Sequence, residues 1–192
     1  MITPTDIFRA YFSCRSTKRR TPSAMAFEMT FERECFALYD DLMNNRYVIG
    51  QSSAFIVQSP VQREVFAASF RDRIVHHLIA DRIIPTLERL CIYDGYACRT
   101  GRGTSFGIAR AQHFMRSVSE NYTRPAFVLK LDIRSFFMSI SHDRLMEQID
   151  HLLYERCPVA DERDILYQLC EQIVRHHPQS DCVIRGRRSD WV

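Results

Sequence analysis

The chain has 192 residues, of which 46% are hydrophobic and 26% charged, a composition typical of one globular domain or of two small ones packed together. No apolar run approaches the ~20 residues that span a bilayer, and Met1–Arg20 lacks the apolar core of a signal peptide, which argues against membrane and secreted proteins. The seven cysteines are odd in number and include no C-x-x-C pair. We therefore expect buried thiols in the reducing cytoplasm rather than a disulfide framework or a zinc ribbon.

The net charge is only +3, but nearly all of the 26 basic residues are arginines, the exceptions being Lys18 and Lys130. A guanidinium group can bind phosphate through two hydrogen bonds at once, so this arginine content is compatible with a nucleic-acid partner. It is equally compatible with an arginine-rich surface that faces only solvent. Composition does not choose between these two explanations.

The first third of the chain predicts an arm, a helix and two β segments. Met1–Pro22 has few apolar residues and carries the basic cluster Arg15–Arg20, which is typical of a solvated tail. Helical spacing of apolar residues predicts a helix from Phe27 to about Arg46. Tyr47–Val57 is rich in β-branched and aromatic residues and predicts a short hairpin, and a further strand is expected at Arg63–Ala68.

The middle of the chain predicts two helices joined by a glycine-rich loop. Asp72–Leu90 has the apolar periodicity of a long amphipathic helix, which Pro85 should bend or break. The loop Tyr96–Gly107 follows and contains three glycines. The next helix is expected from about Ser105 to Ser119.

The segment Ala126–Ile133 is almost continuously apolar, which is typical of a strand buried on both faces. We expect this strand to be central in a sheet, with Val128 and Leu131 buried. The helices around Ile108–Val118 and Leu145–Leu153 are expected to cover it.

The last part of the chain predicts helices at about His142–Glu155 and Asp161–His176 and a short β segment at Cys182–Arg185. Together the elements predict the α+β class, with helices packed on a small, mostly antiparallel sheet.

Asp132 is the candidate for chemistry, because it lies at the carboxyl end of the predicted buried strand. A rigid strand that delivers a carboxylate, followed by a turn with free backbone groups, is a recurrent way to bind Mg²⁺. The aromatic residues Phe136 and Phe137 would then form a wall of the site. The alternative is that Asp132 only caps the turn after the strand.

Three blocks of the sequence, in order, resemble motifs of reverse transcriptases of the bacterial kind, found in group II introns, retrons and diversity-generating retroelements. Phe127–Phe137, with Ile140–Leu145 after it, resembles the first palm motif. Arg63–Leu78 is similar to the fingers segment, and Tyr96–Thr104 is similar to the loop that follows it. The resemblance implies an RNA-directed DNA polymerase, which extends a DNA or RNA primer on an RNA template with dNTPs. It also implies Mg²⁺, or Mn²⁺ in its place, as cofactor.

The resemblance implies roles for the residues of the palm motif. Asp132 corresponds to the first of three catalytic carboxylates that bind two metal ions, and the backbone carbonyl of Ile133 joins that coordination. The backbone amides of Ser135 and Phe136 correspond to those that meet the incoming triphosphate. Phe137 corresponds to the gate aromatic that excludes a 2′-hydroxyl.

The resemblance also implies roles for arginines in the fingers. Arg63 corresponds to the arginine that grips the triphosphate, and we expect Arg99 and Arg102 of the glycine-rich loop to contact the nucleic-acid backbone. Two departures from the family pattern accompany them. Val61 stands where a lysine is common, and Ser105 replaces a frequent histidine.

The second catalytic block of the family, an aromatic–x–Asp–Asp hairpin, has no counterpart at the expected position. Leu38–Asp41 has similar letters but precedes Asp132 and lies in a predicted helix. We therefore expect an N-terminal piece of a polymerase that is inactive by itself. Its expected parts are an arm and helix at 1–46, a fingers region at 47–125 and the first part of the palm at 126–192.

Two other classes of protein stay open. The first is a non-catalytic RNA-binding module with a fold like that of a reverse transcriptase. The second is another palm-type metal enzyme, such as a primase or a cyclase, which would have no use for the blocks at Arg63–Leu78 and Tyr96–Thr104.

Overall fold

A computed structural model gives the structure of the chain for residues 1–16, 21–59 and 61–186, except for the side chains of Phe137, Met138 and Arg156. The described residues form helices and a small sheet, so the predicted α+β class is confirmed. The elements in chain order are α1 (Pro4–Ser16), α2 (Pro22–Glu28), α3 (Phe31–Met43), β1 (Ser52–Val57), β2 (Arg63–Ala67), α4 (Phe70–Leu90), α5 (Thr104–Val118), α6 (Phe136–Ser139), α7 (His142–Arg156), α8 (Ala160–Val174) and β3 (Cys182–Ile184).

The sheet is mixed and has the strand order β2-β1-β3. Strands β1 and β2 are antiparallel, with Val57 opposite Arg63, while β1 and β3 are parallel, with Ser52 opposite Cys182. The strands predicted at Arg63–Ala68 and Cys182–Arg185 are therefore confirmed. The hairpin predicted within Tyr47–Val57 is wrong, because the chain runs through this segment into β1 and turns back only after Val57.

Contacts divide the chain into two compact units. The first unit comprises residues 1–83 and the chain from Ser141 onward, and the second comprises Ile84–Ile140. The first unit holds a core built from α1, α3, α4, α7 and α8. Its largest fully buried apolar side chains are Ile2, Ile7, Tyr11, Leu38, Ile74, Leu78 and Leu166. The three segments predicted from the sequence are defined by motifs and not by contacts, so they stay predictions: 1–46, 47–125 and 126–192.

The arm predicted at Met1–Pro22 is wrong over most of its length, because residues 4–16 form α1. The buried residues of α1 include Ile7, Tyr11 and Cys14, whose spacing of four and three places them on one helix face. The Tyr11 ring stacks on Phe31, with centroids 5.1 Å apart and planes 12° from parallel. Residues 17–20 of the predicted basic cluster lie outside the described residues.

Helices α3, α4, α5, α7 and α8 confirm the predicted helices to within a few residues, except that α2 and α3 divide the one predicted from Phe27. Pro85 lies inside α4, which continues to Leu90, so the predicted alternative of a helix break is wrong. A proline removes one backbone N–H from the helix. The remaining hydrogen bonds on either side keep α4 continuous.

The strand predicted at Ala126–Ile133 is the main correction. These residues have no regular secondary structure and belong to no described strand pair, and Val128 and Leu131 are 79% and 81% exposed. Within the second unit, α5 does not bury this segment, since α5 has no buried residue among those described and Val128 lines an open cleft together with Met115 of α5. An apolar sequence makes a segment fit for burial, but a strand also needs a neighbour for its backbone groups, and none of β1, β2 and β3 pairs with this one.

A buried carboxylate joins the start of the sheet to the start of α4. Asp72 is 1% exposed and accepts hydrogen bonds from the Tyr47 hydroxyl at 2.8 Å, the Ser69 hydroxyl at 2.7 Å and the Gly50 amide at 3.1 Å. A Cβ atom at Gly50 would lie 3.3 Å from the Asp72 carboxylate, so glycine allows this close approach. Burial raises the pKa of Tyr47, and the nearby Asp72 charge raises it further, which keeps the phenol a hydrogen-bond donor.

We expect Tyr47→Phe to lower the free energy of unfolding by about 2 kcal/mol, because a buried carboxylate loses one of its donors. Urea denaturation measures this difference. The control is Tyr154→Phe, whose hydroxyl belongs to an exposed residue of the same unit and should change the free energy by less than about 0.5 kcal/mol. Equal urea midpoints for Tyr47→Phe and the unmodified protein would contradict the role given to Asp72.

A second ionic contact joins three helices of the first unit. The Arg82 guanidinium on α4 lies 3.0 Å from Asp6 on α1 and 2.8 Å from Glu162 on α8. Burial by itself would raise the pKa of both carboxyls, but hydrogen bonds to each carboxyl outweigh this effect. Asp6 accepts hydrogen bonds from Thr3 and Arg82. Glu162 accepts them from the N-terminal amine and Arg82. The pKa of each carboxyl is therefore lowered.

This arrangement makes stability depend on pH. A lowered pKa in the folded state stabilises the protein above the ordinary values of 3.8 for Asp6 and 4.5 for Glu162, and the effect is lost as pH falls through the lowered values. We expect Arg82→Met to cost about 2 kcal/mol near neutral pH, with a difference from the unmodified protein that shrinks below about pH 4. Urea denaturation across the pH range measures the difference, and a constant difference down to about pH 3 would contradict it.

Candidate nucleic-acid interface

The segment that contains Asp132 keeps the predicted turn although the predicted strand is absent. Asp132 and Ile133 are exposed at the end of residues 126–133, which have no regular secondary structure. Ser135, in the turn that follows, adopts the left-handed conformation with φ of 51° and is the N-cap residue of α6. The turn leaves the Asp132 carboxylate in solvent, where a charged ligand can reach it.

The donor set around Asp132 suits a hard cation. A carboxylate from Asp132 and a backbone carbonyl from Ile133 are oxygen ligands of the kind that Mg²⁺ and Mn²⁺ prefer. Mg²⁺ takes about six oxygens, so these residues would need water, phosphate or further carboxylates beside them. Within the described ranges, no group of three or more histidine, cysteine, aspartate or glutamate side chains is placed to hold a metal ion.

The other predicted nucleotide-binding residues fall in both units. Arg63 belongs to the first unit and lies at the turn end of the β1–β2 hairpin, where its side chain is exposed and has no ion pair among the described residues. Ser135 and the exposed Phe136 belong to the second unit, with Asp132. The side chain of Phe137 lies outside the described residues, so its predicted gate role stays a prediction.

Arg99 has an internal structural role in the second unit. Its side chain is 9% exposed and forms a salt bridge of 2.9 Å with Glu88. It also donates hydrogen bonds to the carbonyls of Ile92, at 2.7 Å, and Gly95, at 3.0 Å. Arg99 therefore braces the loop after α4, and its predicted contact with nucleic acid stays a prediction.

Arg102 is the arginine of this loop that is presented to solvent on an aromatic platform. Its guanidinium lies 4.2 Å from the centroid of the Tyr93 ring and 5.5 Å from that of Phe106. On α5, Arg110 also approaches Tyr93, at 5.2 Å from the ring centroid. We call these four residues, Tyr93, Arg102, Phe106 and Arg110, the Tyr93 stack.

The two arginines of the Tyr93 stack differ in their charge balance. Arg110 donates two hydrogen bonds to the Asp94 carboxylate, at 2.6 and 3.0 Å, and these bonds hold the pKa of Asp94 below its ordinary value. Arg102 donates to the Tyr93 carbonyl and has no salt bridge with a described residue. Its positive charge is therefore available to a phosphate, beside an exposed ring on which a base can stack.

Tyr93, Asp94 and Arg110 were not predicted as functional residues. One signal was available, because Phe106, Arg110 and Phe114 follow each other at intervals of four and so share a face of α5. Gly107 allows α5 to pack closely against Tyr96. A Cβ atom at this position would lie 3.3 Å from the Tyr96 ring.

Comparison with known proteins does not assign the chain to a family, since neither a family model nor a curated protein matches it. A search of the described residues finds no helix with the length and apolarity that crossing a membrane requires.

We expect Arg102→Gln to weaken binding of single-stranded RNA and to reduce the slope of log affinity against log salt concentration by about one, because one phosphate contact releases about one counterion. Fluorescence anisotropy over a series of salt concentrations measures both quantities. The control is Arg116→Gln, which removes an exposed charge from α5. Unchanged affinity and slope in Arg102→Gln would contradict the role of the Tyr93 stack.

Proposed function

We propose that the chain is the fingers and first palm part of an RNA-directed DNA polymerase, which binds template and primer and supplies Asp132 as the first metal-binding carboxylate. One observation carries the proposal: Asp132 ends an exposed apolar segment and is followed at once by the turn at Ser135 and by α6. This local order agrees with the palm motif that the sequence resembles.

The palm part of the proposal requires that residues 126–133 become covered. Val128 and Leu131 are exposed in the described chain, so the burial expected of a palm strand is not met there. Burying a side chain of this size is worth about 1.5–3 kcal/mol, which favours association of the segment with other strands. We propose that strands outside the described residues pair with it.

The fingers part of the proposal is supported by the β1–β2 hairpin and by unpaired arginines. Arg63 at the turn end of the hairpin can neutralise the charge of a triphosphate, and its planar group can donate hydrogen bonds to two phosphate oxygens. The Tyr93 stack offers Arg102 to the phosphates of the template. Neither residue has an ion pair with another described residue that would compete with these ligands.

In the proposed reaction, the Asp132 carboxylate and the Ile133 carbonyl would be the oxygens of this chain that hold the metal ions. When bound, such ions lower the pKa of the primer 3′-hydroxyl and stabilise the leaving pyrophosphate. Arg63 balances the negative charge on the phosphates, and the ring of Phe137 sets the floor under the sugar.

The second candidate function is RNA binding without catalysis. The Tyr93 stack favours it, because a guanidinium on an aromatic ring binds phosphate and base without any metal. Both candidate functions predict that RNA binding survives the loss of Asp132. Only the polymerase function predicts DNA synthesis.

We expect Asp132→Asn to reduce DNA synthesis by more than about 100-fold in the protein expressed from its complete reading frame, because a metal ligand loses its charge. Since Asp132 is exposed, the free energy of unfolding should change by less than about 0.5 kcal/mol. Primer extension on an RNA template with dNTPs measures activity, and thermal melting measures stability. The control is Asp150→Asn, at an exposed carboxylate on α7.

Full synthesis by Asp132→Asn would overturn the metal role, and absence of synthesis by the unmodified protein with intact RNA binding would favour the second candidate. The same assay with Phe137→Val tests the gate. Opening the space under the sugar should raise incorporation of ribonucleotides relative to deoxyribonucleotides, and unchanged discrimination would eliminate the gate.

A further inference from the structure

The first unit contains an open groove of about 670 Å³ that no motif of the sequence had indicated. It lies between the start of α2, strands β1 and β2, and α4. Phe55 and Phe66 both line it, although the register of β1 and β2 places their side chains on opposite faces of the sheet, and Arg73 and Arg185 are the arginines among its lining residues. The volume is within the range of about 300–1,000 Å³ that small-molecule sites occupy, which is enough for a nucleotide unit.

The charge of the groove is not neutralised by the residues that the structure describes. None of its described lining residues is an aspartate or a glutamate, and neither Arg73 nor Arg185 has a side-chain hydrogen bond or an ion pair with a described residue. Arg71, two residues before Arg73, differs in this respect because it forms a salt bridge of 2.6 Å with Asp41. The groove therefore presents two positive charges to whatever enters it.

A smaller cavity of about 210 Å³ adjoins the groove and shares Phe66 and His76 with it. Burial lowers the pKa of His76, so its ring is neutral and offers a flat surface. His176 also lines this cavity, and its Nε2 atom is buried without a hydrogen-bond partner. A buried polar atom without a partner is uncommon in folded proteins, and a ligand group that bonds to it would explain this one.

We propose that the groove binds single-stranded nucleic acid, with backbone phosphates against Arg73 and Arg185 and one base in the adjoining cavity. The base would lie against Phe66 and His76, and its polar edge would satisfy Nε2 of His176. Unpaired bases can enter such a cavity, whereas the bases of a duplex are stacked on each other and cannot. This inference rests on the proposed function only in that the ligand is nucleic acid, because it places no role on Asp132.

The test uses fluorescence anisotropy with a labelled oligouridine strand and the single variants Arg73→Gln and Arg185→Gln. We expect each to weaken binding about fivefold and to lower the salt slope by about one, and we expect Arg73→Lys to retain most of the affinity because it keeps the charge. The matched control is Arg144→Gln, which removes an exposed arginine of the same unit that does not line the groove. Circular dichroism melting shows whether each variant is folded.

A second measurement addresses the base. A strand with one 4-thiouridine should cross-link under ultraviolet light to the peptide that contains Phe66 or His176, and unlabelled single-stranded RNA should compete about tenfold better than duplex RNA of equal length. Cross-links confined to other peptides, or equal competition by duplex, would overturn the base site.

The outcomes separate this inference from the proposed function. If Arg73→Gln and Arg185→Gln bind as tightly as the unmodified protein while Arg102→Gln binds more weakly, the groove is not the site and the proposed function stands. If the unmodified protein does not bind the strand at low salt, both the groove and the RNA-binding part of the proposed function are wrong. If only the groove variants lose affinity, the groove is the site and the Tyr93 stack is not.

Discussion

The structure of the first unit depends on one buried charge. A carboxylate without partners is among the most costly groups to bury, so Asp72 needs each of the donors around it. Tyr47 and Gly50 precede β1 while Ser69 precedes α4, and one carboxylate therefore fixes where the sheet begins relative to the helix. Strands β2 and β3 pair with β1, and Arg73 follows Asp72 on α4. These hydrogen bonds therefore position β1 and α4, which line the proposed groove.

Elements that depend on local periodicity could be predicted from the sequence, and elements that depend on partners could not. The sequence shows the helical spacing of apolar residues in α4, α5, α7 and α8. Helix α1 has the same spacing, but the basic cluster after it favoured the prediction of a solvated arm. Residues 126–133 carry the letters of a buried strand, yet no described strand pairs with them. For the site, the resemblance could mark Asp132, whereas the brace formed by Arg99 and the aromatic platform of Arg102 arise from contacts that the letters do not show.

The arginine content alone does not indicate whether the protein binds nucleic acid. The contacts of individual arginines in the structure separate those that stabilise the fold from those that a ligand can reach. Some arginines hold the fold together, as Arg82 does between α1 and α8 and Arg99 does in its loop. Others have no carboxylate partner among the described residues and lie where a ligand can reach them, namely Arg102 on an aromatic ring and Arg73 and Arg185 in the groove. The first class explains stability. The second class is what a protein that binds a phosphate backbone requires.

The proposed palm depends most on residues 126–133, because a palm strand must be paired and these residues are exposed in the described chain. Hydrogen–deuterium exchange of the amides of residues 127–133 tests it most directly, in the protein expressed from its complete reading frame and bound to a template and primer. In that complex we expect these amides to exchange slowly, as in a central strand, while the same amides exchange within seconds in the 192-residue chain. Equally fast exchange in both proteins would contradict the assignment of this segment to a polymerase palm.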